Sequence, residues 1–160
     1  MSVAFVREES AEAAQEVSLP PRPISAHPSL VTQSGLRGLE RALADSQQAL
    51  KAAQTIEDTN DHRRALQLAA RDVRYFAERV ASAVPQPEPA DAAVVAFGSK
   101  VTILRDDDRR QRFRIVGEDE ADPRGGSIAY VSPRAQRLIG KRVGGAVEFD
   151  GREIEIIAVE

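Results

Sequence analysis

The chain has 160 residues, room for one ordinary domain or for one small domain carrying an extended element. Hydrophobic residues make up 42% but aromatics only 4%, with no Trp, so small side chains suited to thin helix pairs supply much of the apolar count. A net charge of −3 excludes a polycation that coats nucleic acid, and the lack of Cys excludes disulfides, thiolate zinc sites and cysteine nucleophiles. The same lack of Cys fits a reducing cytoplasm, the expected location. No apolar run reaches the roughly 18 residues that span a membrane, and the N-terminus lacks a secretory pattern, so no membrane partner is expected.

Residues 1–34 hold Pro20, Pro21, Pro23 and Pro28 among Ser and Glu. Proline removes backbone donors and pushes the preceding residue out of the helical region, so the segment reads as a mobile tail. A short helix from Glu8 to Val17 is the alternative. Residues 36–57 form a predicted helix, with Leu36, Leu39, Leu43, Leu50, Ala53 and Ile56 on one stripe and Arg37, Arg41, Gln48 and Lys51 opposite. Ser34 is the expected N-cap. The Asp58-Thr-Asn-Asp61 break favours a turn. A second helix is predicted over 61–84, with a stripe of Leu66, Ala69, Val73, Phe76, Val80 and Ala83. A short turn between two such helices predicts an antiparallel coiled-coil hairpin with arms of roughly 33–36 Å.

Residues 85–93, with alternating prolines, predict a stiff linker. From 94 to 160 the pattern turns β-rich. Val101 and Ile103 alternate only loosely against Thr102 and Leu104, while Phe113 and Ile115 alternate with Arg112 and Arg114, so the second strand should have one dry face. Ser127–Val131 is a further strand. Ser132 and Pro133 start a short helix that ends at Gly140. Asp150-Gly151 joins Ala146–Phe149 to a last strand ending at Val159 as a two-residue hairpin. Four or five antiparallel strands with one helix make an α+β domain.

Several clusters carry chemistry. Glu57, Asp58 and Asp61 crowd the hairpin tip, where carboxylates either cap the second helix or hold a divalent cation. Arg63, Arg64, Arg71 and Arg74 lie behind them, either as a solvated face paired with Asp61, Asp72 and Glu78 or as a guide for RNA phosphates. Tyr75, beside Arg74, could stack on a base, but one Tyr is a weak signal. His62, beside Asp61, is a general base or ligand only in the weakest reading. The turn Glu118, Glu120, Asp122 lacks the glycine and terminal glutamate of a calcium loop and reads as solvated. No P-loop, nucleophile elbow or zinc-protease motif is present.

The run from Ile115 to Pro133 reads Ile-Val-Gly-Glu-Asp-Glu-Ala-Asp-Pro-Arg-Gly-Gly-Ser-Ile-Ala-Tyr-Val-Ser-Pro. It is followed by Leu138-Ile-Gly-Lys-Arg-Val-Gly144 and preceded by Phe97-Gly-Ser-Lys-Val-Thr102. Together these resemble the C-terminal domain of the bacterial transcript-cleavage factors GreA and GreB, which carry I-V-G-x-x-E-A-D-P, I-S-x-x-S-P, L-x-G-K-x-V-G-D and F-G-S-x-V-T. The resemblance covers 97–160 and, more weakly, 36–84.

That resemblance implies an FKBP-like C-terminal domain, with an antiparallel sheet and one short helix, that grips RNA polymerase. Glu118, Glu120, Asp122, Ser132 and Pro133 would then be docking residues. It implies a hairpin that enters the polymerase secondary channel, where Asp58 and Asp61, with Glu57, help hold a Mg²⁺ of the polymerase active centre and a water that cleaves backtracked RNA. The partners implied are RNA polymerase and nascent RNA. No cofactor is expected to stay on the chain, which is a stimulator and not itself an enzyme. A monomer is expected, because each hairpin helix can bury its stripe on the other.

The chain departs from the family at the tip. The family's G-D-L-S-E-N-x-E-Y run is absent, and aligning on Ala69-Ala-Arg71 and Phe76 places Asn60 and Arg63 at the acidic positions unless a two-residue gap restores Asp58 and Asp61. Gly145 stands where the family has Asp. Two other classes stay open: a peptidyl-prolyl isomerase, which needs an aromatic pocket, and a hairpin used for self-association.

Overall fold

A computed structural model describes residues 19–160. Two helices form the N-terminal half: α1 (Gln33–Ala53) and α2 (Thr59–Ser82). The N-cap of α1 is Thr32, not Ser34. Thr32 is extended (φ −76°, ψ 168°), and its side chain accepts a hydrogen bond from the Gly35 N–H at 2.9 Å. Ser34 already lies in the first turn and its hydroxyl points elsewhere. At about 1.5 Å per residue the arms are roughly 32 and 36 Å long.

The helices fold back on each other as the stripes predict. Leu39, Ala53 and Ala69 are buried, and Leu36, Leu43, Leu66, Val73 and Phe76 are half-buried along the seam. Burying a Leu such as Leu39 contributes about 1.5–3 kcal/mol. Two positions differ from expectation. Ile56 falls outside the helix and is exposed. Chain reversal starts earlier, through tight bonds from Gln54, Thr55 and Ile56 N–H groups to carbonyls three residues back. Arg79 is buried on the seam side, where only apolar residues were expected.

Within the expected tail, residues 19–32 form a strap and residues 33–34 begin α1. Leu30–Val31 (β1) pairs in parallel with Val84–Pro85 (β2), and the Ser29 and Val31 carbonyls accept from Val84 and Gln86 at 2.8 and 2.9 Å. Arg22 lies over the Tyr75 ring at 3.8 Å and pairs with Asp72 at 3.1 Å. Tyr130 donates to the Pro28 carbonyl at 2.6 Å. The prolines that argue against helix also stiffen this extended chain, so ordering it costs less entropy. The alternative helix over 8–17 lies outside the described residues. The linker is anchored too: Glu88 pairs with Arg114 at 3.1 Å, and the Pro89 ring packs over Gly98.

The C-terminal half contains β3 (Lys100–Arg105), β4 (Arg110–Val116), β5 (Ser127–Ala129), α3 (Pro133–Leu138), β6 (Ala146–Phe149) and β7 (Arg152–Val159). The sheet order is β5-β4-β3-β7-β6. Three pairings are antiparallel, but β5 runs parallel to β4, against the expected all-antiparallel sheet. The cause is the connection. Residues 117–126 carry the chain back along the domain before β5 begins, where a short hairpin turn would have reversed it. Val101, Ile103, Phe113, Ile115, Ile154 and Ile156 form the dry face, and α3 seals it with Ala135 and Leu138. Ser132 caps α3 by accepting from Ala135 N–H, with Pro133 in the first turn. Asp150 and Gly151 both have positive φ, 51° and 71°, as a primed two-residue turn requires. The whole is a mixed α+β fold.

The strap fits only because Gly117 lacks a side chain. A Cβ there would collide with the Leu30 carbonyl oxygen, a backbone atom held by strand pairing. Gly117→Ala is therefore expected to lower stability by about 1–3 kcal/mol, read from the urea midpoint. An unchanged midpoint would show that the strap is not packed there.

Candidate functional site

The tip is built by capping chemistry. Asp58 is extended (φ −69°, ψ 125°), and its Oδ1 accepts from the N–H groups of Asn60 and Asp61 at 3.0 and 2.9 Å. This satisfies two of the four free donors at the start of α2. Its second carboxylate oxygen makes no hydrogen bond within the described residues. Glu57 and Asp61 are exposed beside it, and Asp61 in the first turn also complements the helix dipole. The cap thus uses one oxygen of Asp58 and leaves the other without a partner among the described residues.

Among the described residues no group of three His, Cys, Asp or Glu is close enough to hold a metal ion. The tip acids form an open donor set of one or two carboxylates. That fits Mg²⁺, which keeps most of its shell for water and other ligands. His62 does not join them: its ring Nδ1 is shielded and lacks a hydrogen-bond partner.

The arginines divide into two groups. Arg63 and Arg64 are exposed next to the tip. Arg71 is half-buried and Arg74 exposed, about 18–22 Å along α2 from its start at Thr59 at about 1.5 Å per residue. None of the four makes an ion pair among the described residues. The expected partner Asp72 is taken by Arg22 from the strap. Tyr75 cannot stack on a base, since Arg22 covers its ring and its hydroxyl donates to Asp119 at 2.6 Å. Burial, together with that bond to Asp119, raises the Tyr75 phenol above its ordinary value.

The acidic turn is not simply solvated. It is the joint between the two halves. Asp119 Oδ2 accepts from Arg79 Nε at 2.6 Å, with the Arg79 side chain only 3% exposed and Asp119 15%. Glu120 accepts from the Thr32 and Ser34 hydroxyls, both at 2.6 Å, one on each oxygen. Asp122 holds the loop itself by accepting from Arg124 N–H at 3.1 Å, while its own N–H donates to Ser127 Oγ at 2.8 Å. The Tyr130 phenol is raised first by burial and then by the charge of Glu118, whose Oε2 is shielded and lacks a hydrogen-bond partner among the described residues. The three expected docking carboxylates thus point to separate tasks. Ser132 caps α3, and Pro133 is exposed at its start.

Arg79, Asp119, Thr32 and Arg22 were missed from sequence, and Tyr75 was given another role. One signal was available. Position 79 follows Phe76 by three and Tyr75 by four, on the flank of the buried stripe, where a charged residue needs a buried partner.

The sheet carries a cavity of about 300 Å³ beside α3 and the β6–β7 turn. Phe149 is its single aromatic wall, with Arg105, Arg134 and Arg152 around it. Phe113 is in the core, and Phe97 packs edge-on against Tyr130 at 5.7 Å. The aromatic pocket that a prolyl isomerase needs is not assembled there.

The family described as Transcription elongation factor, GreA/GreB, C-term matches residues 90–160. Transcription elongation factor GreA of Methylobacterium nodulans is 30% identical over 151 residues, covering 81% of this chain and 94% of that protein. The chain belongs to the GreA/GreB family of transcription elongation factors. GreB of Neisseria meningitidis serogroup B is 43% identical over 96 residues, but that match spans 56% of this chain and 59% of GreB, little more than half of each. Among solved structures, GreA factor homolog 1 of Thermus thermophilus aligns with a TM-score of 0.40 at 22% identity, over 84% of this chain and 99% of that one.

The joint makes a direct prediction. Asp119→Asn leaves the Arg79 charge buried without its counter-ion, so stability should fall by about 3 kcal/mol. Combining it with Arg79→Met in a double-mutant cycle should recover part of the loss. Strict additivity in the denaturation midpoints would show that the two side chains do not interact.

Proposed function

We propose that this chain binds RNA polymerase and presents its hairpin tip in the secondary channel to promote cleavage of backtracked RNA. The carrying observation is three exposed carboxyl groups, Glu57, Asp58 and Asp61, at the end of a rigid arm roughly 36 Å long. On this reading the reacting centre belongs to the partner. Bound there, Mg²⁺ would supply the charge neutralisation and water activation that phosphodiester hydrolysis needs.

This chain's residues contribute placement. Asp58 offers the oxygen not used in capping, Asp61 sits one helical turn further along α2, and Glu57 adds negative charge at the tip. Arg63 and Arg64, exposed behind the acids and without an ion pair among the described residues, would hold the phosphates of an RNA 3′ segment. The C-terminal domain grips the polymerase outside the channel through Pro133 and the free edges of the 117–122 turn. The factor acts as a monomer in the cytoplasm.

A second reading has its own support. Asp58 already has one oxygen committed to α2, and Asp stands where a longer acid would reach further. On that reading the tip fills the channel and modulates transcription without stimulating cleavage.

Asp58→Asn/Asp61→Asn separates the two readings, because Asn preserves the cap while removing charge. Cleavage in stalled elongation complexes should fall about 10–100-fold, while capture of RNA polymerase is unchanged. Cleavage equal to wild type would remove the acids from the reaction and leave the channel-occupying role.

A further inference from the structure

The strap creates a groove that the polymerase-directed reading does not use. Residues 21–24 lie alongside α2 and enclose a space of about 290 Å³ against Arg71, Arg74, Tyr75 and Glu78. These helix positions are spaced three, four and seven apart, so they share one face. Arg22 is neutralised in place by Asp72 and stacked on Tyr75, which fixes the floor. Arg71 and Arg74 have no ion-pair partner among the described residues, and Glu78 is the single carboxylate that lines the groove with them. Pro21, Pro23 and the exposed Ile24 form an apolar wall opposite the arginines. Because proline presets that wall, a ligand need not order it.

We propose that this groove binds a small phosphate-bearing ligand with a flat apolar body, a mononucleotide being the plainest case. Arg71 and Arg74 take the phosphate, and the proline–isoleucine wall covers the body. Guanidinium groups suit phosphate through paired N–H donors. The volume is that of a small-ligand site. The groove lies about 18 Å from the start of α2, so an occupant there does not touch the tip acids. The proposal is independent of the cleavage role and does not fail with it.

The test is calorimetric titration of the full chain with AMP, adenosine, inorganic phosphate and a short single-stranded RNA. AMP should bind more tightly than adenosine and than phosphate alone. Arg71→Ala and Arg74→Ala should each weaken AMP about tenfold, the usual loss for a charge-assisted hydrogen bond. Arg71→Lys should restore part of the affinity, and Lys51→Ala, which removes an exposed cation on α1, should leave AMP affinity unchanged. Thermal melts of each variant confirm that the fold is kept. The proposal is overturned if AMP does not bind, or if its binding survives both alanine substitutions. It is also overturned if RNA binds through Arg71 and Arg74 while AMP stays silent, since the arginines would then be a guide for a strand.

Discussion

The Asp119–Arg79 pair, with Tyr75 on the second Asp119 oxygen, holds the two halves of this molecule in one arrangement. A hairpin of two thin helices has no intrinsic direction relative to a sheet joined to it by a proline-rich linker. The joint supplies the direction. It acts where α2 passes the acidic turn, and the Glu120 contacts with Thr32 and Ser34 fix α1 at the same level. Both helices are therefore held at their base, and the tip is held only through them.

The cost of that joint is desolvation of two charges. Such a pair stabilises only when its remaining hydrogen-bonding capacity is met, and here Asp119 accepts on both oxygens. The strap adds a second line of contact. It crosses from Arg22 on α2 to Pro28 on Tyr130 and then enters a two-stranded sheet with the chain leaving α2. The Leu30 carbonyl rests against Gly117 in the first residue of the acidic turn. Strap, turn and helix bases thus share one small region, and the Ile-Val-Gly and Glu-Ala-Asp-Pro motifs lie within it. Their residue types answer to packing inside this chain as well as to any partner.

Much of the fold was legible because its signals are local. The alternation at Val101–Ile103 and Phe113–Ile115, the Ser132-Pro133 helix start and the Asp150-Gly151 turn each depend on neighbours a few residues away. The hairpin was legible for the same reason, since a stripe and a turn are periodic features. The rest depends on pairs far apart in sequence. Nothing near Arg79 in the chain shows that Asp119 will meet it, and nothing in Pro20–Pro28 shows that Tyr130 and Tyr75 will hold the segment down. The parallel β5 was misread because the length of a loop does not reveal the path it takes. At the tip, the sequence left two roles for Asp58, and the geometry shows the capping one.

The central claim is that finger and anchor form one rigid body before any partner arrives. The chain has no native cysteine, so Glu57→Cys and Glu148→Cys place two spin labels with no background. Pulsed electron-spin distance measurement on the free protein should give one narrow distance distribution, whose centre stays put when RNA polymerase is added. A broad distribution in the free protein, as narrow only after binding, would contradict the account and make the partner the source of the alignment.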